Sequence, residues 1–447
     1  MSIAMNWVGG EPLCALITGA RCIDPRTGLD QLADVLVVDS CIAEVGAVGS
    51  LTAPSEASII NAEGLIVMPA FTDPHVHLRT PGQEHKESLA TGTRSAAAGG
   101  YCQLLAMPNT TPPIDSPEIL RGVFSRLAEE AVIPVGQLAC ITRGMEGSQL
   151  TEMGLMAEIG VAGFTDDGLP VTDAGVLRRA MAYQRLHGLP IALHEEDPSL
   201  SAGAPLNEGQ ISAKRGLRGS PGIAESTMIE RDCAIAELES AQIHVQHLSA
   251  ARSVDAIARA KQSGVSVTAE ASPHHLLLTE AACDTLDTRA KMNPPLRFEE
   301  DRLALIAGLR DGTIDCVATD HAPHSKDEKS EPFEIAPFGT TGLETAFAVL
   351  NQELVGNRDL DLSTLIERMT SGCVPFGLEP PMIKQGEPAN LVVFDPEESW
   401  IAGEDGWESR SENCCFTGRS IKGRVVMTIA SGVLVHRSGR LSGGEQL

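Results

Sequence analysis

Between residues 66 and 320 the chain repeats one unit, a short apolar run followed by a helical stretch. The runs fall near 66–77, 101–107, 133–140, 161–166, 190–194, 242–247, 265–270 and 314–320, with helical stretches such as Glu87–Ala98, Gly175–His187 and Ile223–Glu239 between them. Eight strands alternating with helices predict a (β/α)8 barrel of the α/β class. An open doubly wound sheet is the rival, but no Gly-x-Gly-x-x-Gly opens a helix here. Both ends of the chain read differently. Short apolar runs alternate with turn signals there, as in Asp34-Val-Leu-Val-Val38 and Asn390-Leu-Val-Val-Phe-Asp-Pro396. The expected organisation is a small β-sandwich made of 1–64 and 380–447, with the barrel, 65–379, inserted between its halves.

Composition removes several function classes. A net charge of −26 argues against nucleic acid, whose phosphates need a basic footprint. No run reaches the roughly 18 apolar residues of a membrane span, and the N-terminus lacks a signal-peptide pattern. Eleven cysteines with no Cys-x-x-Cys pair read as reduced thiols in a cytoplasm. Aromatics are only 3% of the chain while Gly numbers 43, a composition suited to close helix–sheet packing.

A barrel of this kind carries its chemistry at the C-terminal ends of its strands. The polar residues fall there. His75, His77 and Arg79 alternate at the end of the first run, so all three project to one side. Asn109 follows the second run, Asp166 and Asp167 the fourth, while His194 ends the fifth, His247 the sixth and Asp320 the eighth. Four imidazoles and two carboxylates exceed what one catalytic zinc uses. Two metals sharing a bridging carboxylate would use the set well. Imidazole and carboxylate ligands without thiolate suit Zn²⁺, with Mn²⁺ or Co²⁺ as alternatives. A carboxylated lysine is the other way to bridge such a pair, but no lysine lies between Lys86 and Lys214. Asp166 or Asp167 must bridge instead, and strand parity does not choose between them. Asp320, beside the metal, can take a proton from the nucleophile and return it to a leaving nitrogen. Arg79 offers a planar fork to an anionic substrate.

The runs His75-Val-His-Leu-Arg79, Met107-Pro-Asn-Thr110, Phe164-Thr-Asp-Asp-Gly168 and Asp320-His-Ala-Pro-His324 together resemble those of a class I dihydroorotase, a metal-dependent amidohydrolase. The likeness is collinear from about residue 60 to 375 and looser in the β flanks. It implies reversible hydrolysis of L-dihydroorotate to N-carbamoyl-L-aspartate, the third step of pyrimidine synthesis, through a hydroxide shared by two metals. By resemblance His75 and His77 hold the first metal and His194 and His247 the second. Asp167 bridges them, because 194 − 167 = 27 is the family's spacing to the next histidine ligand. Asp320 is both ligand and proton shuttle. His77, Arg79, Asn109, Asn293, His324, Phe338 and Gly339 face the substrate, with Arg79, Asn109 and His324 on its carboxylate. Homodimerisation and association with aspartate transcarbamoylase are also implied.

Thr80 and Ala70 depart from the family, which commonly has Glu and Gly there. His244, His274, His275 and His321 are expected to be structural, and His85, His187 and His436 to be surface or packing residues. The segment Lys326–Thr340 is expected to cover the substrate, at a position where many barrels gate. The competing readings are a hydantoinase or allantoinase, which typically bridge with carboxylated lysine and lack the arginine, and an inactive transcarbamoylase scaffold, which would have lost ligands.

Overall fold

The computed structural model describes residues 2–438. Eight parallel strands follow one another in chain order around its larger unit: Phe71–Val76, Tyr101–Ala106, Val135–Ala139, Gly163–Phe164, Ile191–Leu193, Ile243–Val245, Val267–Ala271 and Cys316–Val317. The expected (β/α)8 architecture is the one observed. Leu89–Ala98, Pro117–Glu130 and Ala174–His187 are among the helices covering it. Their starts follow from side-chain caps: Ser88 and Asp173 accept from first-turn backbone N–H groups, and Ser116 caps a helix that opens with Pro117. The cap at Ser88 leaves Glu87 outside the first helix, where it is fully buried.

The barrel closes at a polar seam. Beyond the two-residue eighth strand, Val76 and His321 form an isolated parallel bridge, and His77 N donates to His321 O at 2.9 Å. Asp73, buried in the first strand, accepts from Thr319 Oγ1 at 2.6 Å and from Thr319 N at 3.2 Å. A side chain thus ties the seam where strand pairing gives out.

The run expected as one strand over 66–77 is two strands in two sheets. Ile66–Pro69 pairs with Ala15–Asp24 and Leu391–Ile401, while Phe71–Val76 enters the barrel. At the break, Ala70 N donates to Asn390 O and Phe71 N to Gly100 O, so adjacent residues bond to different units. The apolar run Leu65–Phe71 crosses the break with no polar residue to mark it, and both strands are buried on both faces.

The chain ends build the second sheet, whose strands Ala15–Asp24, Leu29–Val38, Cys41–Gly46, Ser58–Asn61, Ile66–Pro69, Leu391–Ile401, Ser420–Ala430 and Val433–Arg437 are hydrogen-bonded together. Alternate residues Ala33, Val35 and Val37 point into a core shared with Ile17, Ile60, Leu391, Val393 and Ile429. Residues 439–447 of the expected flank lie outside the described residues. The two units touch at both ends of the barrel. Asn6 bridges to Val135 at one end of the barrel, and Asn413 reaches its mouth at the other. Among the described residues no helix is long and apolar enough to cross a membrane.

Candidate active site

The mouth of the barrel holds a cavity of about 300 Å³. His77, Arg79, Asn109, Asp167, His194, His247, Asn293, Asp320, His324, Phe338 and Gly339 all line it. His75 lies beneath, fully buried. Every residue that the resemblance assigns to the site is therefore gathered in one place, from positions spread over more than half the chain.

Asp167 and Asp166 part ways. Asp166 turns aside and accepts from Ile141 N (2.8 Å), Thr142 N (3.1 Å) and Thr142 Oγ1, which ties two barrel loops together. Asp167 turns inward. Its Oδ1 lies 3.5 Å from His75 Nε2, 3.6 Å from His247 Nε2 and 3.8 Å from His194 Nδ1. Its Oδ2 lies 3.5 Å from His77 Nε2. Asp320 Oδ1 approaches His77 Nε2 at 3.1 Å and His75 Nε2 at 3.5 Å. One carboxylate thus faces four imidazoles, and a second faces two of them.

These separations are those of donor atoms arranged around a common centre. His75, His77 and Asp320 form one group able to hold a metal ion, and His75, Asp167 and His247 form another. His75 Nε2 is buried with no hydrogen-bond partner among the described residues, although it sits between two carboxylates. A buried polar atom normally has a partner, and this one faces into the cluster. The donor set, imidazole and carboxylate throughout, fits a borderline divalent ion.

The outer partners fix which nitrogen faces inward. His75 Nδ1 lies 2.6 Å from Glu270 Oε1, and His77 Nδ1 lies 2.9 Å from Asn109 Oδ1. Each Nδ1 is engaged outward, so each Nε2 is the nitrogen that faces the cluster. Glu270 also accepts from His247 N (3.2 Å) and meets His244 Nε2 (2.9 Å). Burial pushes the Glu270 carboxyl up, but the charge of His75 and the His244 hydrogen bond outweigh it and hold the group at about 2. For Asp320 burial likewise pushes upward, and the charge of His75 with the His77 hydrogen bond brings it below the usual carboxylate range.

Arg79 is held at Nε by Pro323 O (3.1 Å) and at its NH2 nitrogen by His324 Nε2 (3.2 Å). Burial lowers its pKa to about 10, which leaves it a cation at neutral pH. His324, pushed down by burial and then by Arg79, is neutral and accepts the guanidinium proton. Backbone conformation adds a further mark. Arg79, His247 and Asp320 have φ values of 59°, 33° and 47°, in the left-handed region that side-chain-bearing residues seldom occupy.

Three residues of this arrangement escape sequence reading. Glu270 is a carboxylate inside the seventh apolar strand, and that incongruity was its signal. Glu196 Oε2 contacts His194 Nε2 (3.3 Å) and accepts from Asn293 Nδ2 (3.1 Å), two positions beyond the histidine that ends the fifth run. Glu87 meets His321 Nε2 at 3.4 Å in the buried shell behind the site. Asn109, expected on the substrate, has its amide engaged at both ends, since Nδ2 donates to Asp167 Oδ2 at 3.1 Å. Of the other histidines, His244 and His275 make buried hydrogen bonds, His321 accepts from Gly342 N, and His85 is exposed.

With this geometry in view, likeness to known proteins becomes specific. A dihydro-orotase-like family profile matches residues 64–253. A dihydroorotase of Geobacter sp. (strain M21) is 43% identical over 427 residues, 95% of this chain and 99% of that one. A dihydroorotase of Caldicellulosiruptor saccharolyticus is 41% identical over 96% of this chain and 99% of its own length. Among solved structures, L-hydantoinase from Arthrobacter aurescens superposes with a TM-score of 0.84 at 23% identity, covering 96% of this chain and 97% of its own. D-hydantoinase from a Thermus species does so at 0.81 and 24%, with coverage of 96% and 97%. The structural likenesses speak for the fold and the sequence likenesses for the lineage: the chain belongs to the dihydroorotase family.

Proposed function

We propose that the chain is a class I dihydroorotase, which opens and closes the ring of L-dihydroorotate with two Zn²⁺ per subunit, Mn²⁺ or Co²⁺ being the alternatives. The observation that carries this reading is a buried arginine beside a histidine–aspartate cluster in one cavity. His75 and His77 with Asp320 would hold one ion, His194 and His247 the other, and Asp167, facing all four imidazoles, would bridge. When bound, the ions supply an activated water and polarise the ring carbonyl.

The protein's own groups do the rest. Arg79 takes the substrate carboxylate with the guanidinium N–H groups that Pro323 and His324 leave free, and His324 keeps its plane fixed. Asn293, Phe338 and Gly339 border the ring. Asp320 accepts one proton as water adds to the ring carbonyl carbon, then returns it to the ring nitrogen as the C–N bond breaks. The carbonyl carbon becomes the new carboxylate and the nitrogen the carbamoyl NH2. The reverse direction consumes a proton, so ring closure gains as pH falls.

All eleven cysteines are free thiols, which supports a reducing, cytoplasmic setting. The functional reading is tested by assaying the purified protein on dihydroorotate, hydantoin and allantoin alongside metal analysis. Turnover of dihydroorotate, with divalent metal bound, is expected. Turnover of hydantoin without dihydroorotate would overturn the assignment.

A further inference from the structure

The edge of the cavity formed by Phe338 and Gly339 belongs to a segment, 331–339, without helix or strand. A segment of that kind at a barrel mouth has the makings of a lid, yet its backbone carbonyls are taken up by buried charge. Lys291, 2% exposed, points its ammonium at Ala336 O (2.6 Å) and Glu334 O (3.1 Å). The same Nζ sits 4.5 Å from the centre of the Phe338 ring. The backbone of Lys291 closes the link, because its carbonyl accepts from Gly339 N at 2.8 Å. Farther out, Lys329 Nζ donates to Pro337 O (2.8 Å) and Thr288 O (2.9 Å). Asn413 Nδ2 donates to Gly339 O at 3.2 Å from the far flank of the chain. Gly339 has no room for a side chain, since its φ is 115° and a Cβ there would sit 2.6 Å from that of Ala322.

Lys291 stands two residues before Asn293, so one short stretch supplies the opposite border of the cavity and the pin for Phe338 and Gly339. An ammonium buried against carbonyl oxygens is costly to place and is retained only where the carbonyls need a charged donor. The geometry points to Lys291 as a positioning residue for the substrate pocket: it holds Phe338 and Gly339 at a fixed distance from Asn293, so the ring meets a preformed edge and not a swinging lid. This deepens the dihydroorotate reading and rests on it. A preformed edge lowers the ordering cost of binding and leaves the chemical step alone.

The test uses the metal-loaded enzyme. Lys291→Met is expected to raise KM for dihydroorotate about tenfold while kcat stays within about threefold, the pattern of binding energy lost equally from the bound substrate and the transition state. Metal content should not change. Amide hydrogen exchange should quicken by about tenfold or more within 331–339 and stay constant in the barrel strands. Lys291→Arg, which keeps a charged donor, should recover most of both effects. Lys329→Met removes only the outer tie and should raise KM by about threefold, which reads the same edge should Lys291→Met not fold. Unchanged KM and exchange in both methionine variants would overturn the proposal, as would a matched fall in kcat with faster exchange throughout the barrel. Failure of the wild type to turn over dihydroorotate would defeat the functional reading instead, and the exchange comparison would still decide whether Lys291 pins the segment.

Discussion

In the sandwich, a buried carboxylate does one plain thing. Asp34 accepts from Gly19 N and Gly49 N, both at 2.8 Å, and Asp24 from Arg26 N and Ile383 N, so each ties turns together. At the barrel mouth, Asp167 and Asp320 face imidazoles on several sides, and His75 Nε2 has no hydrogen-bond partner among the described residues. Backbone strain divides the same way. Left-handed residues in the sandwich, Asp39, Ser40 and Ser431, sit in turns where they cost little, whereas Arg79, His247 and Asp320 sit just past the ends of strands. The sandwich follows the rules by which buried polar groups stabilise a fold. The mouth departs from them at the residues a catalytic site would need, as expected where stability is given up for function.

Three substitutions test that contrast. Asp320→Asn should have the largest effect, a loss in kcat of about 10²–10⁴-fold on dihydroorotate, with thermal stability unchanged or higher, since asparagine tolerates a left-handed backbone. Full activity in that variant would remove Asp320 from proton transfer. Glu270→Gln should weaken metal binding by about 10–100-fold, read by competitive metal titration, because the amide no longer fixes His75 and His244 from behind. Equal affinity would make Glu270 a packing residue. The smallest effect on activity belongs to the sandwich: Ile17→Ala, in its core, should cost about 2–5 kcal/mol of stability and leave kcat/KM untouched. A matching loss of activity would show that the sandwich helps shape the site.

The contrast also explains what could be read from the residues alone. Apolar runs at regular spacing disclose a barrel, and a histidine or aspartate closing such a run discloses a strand end. Parity fails at Asp166 and Asp167 because the strand before them is only Gly163–Phe164, too short to carry its alternation forward. The break at Ala70 is invisible because it falls inside one apolar run, Leu65–Phe71. Glu270, Glu196 and Lys291 act through a neighbour, Glu270 and Glu196 on histidines and Lys291 on a distant loop, and a sequence shows such partners only as isolated charges. The capture of Asn413 by the barrel mouth joins positions 91 and 74 residues apart, contacts that no local pattern announces.

In the proposed reaction Arg79 selects a carboxylate-bearing ring for the cluster beside it. The most direct measurement compares kcat/KM for dihydroorotate with that for the same ring lacking its carboxylate, in the wild type and in Arg79→Met at equal metal content. The wild type should prefer dihydroorotate by about 10³-fold or more, as a site built to pair a buried charge rejects the analogue that leaves it unpaired, and the variant should lose most of that preference. An undiminished preference in Arg79→Met would remove Arg79 from substrate selection.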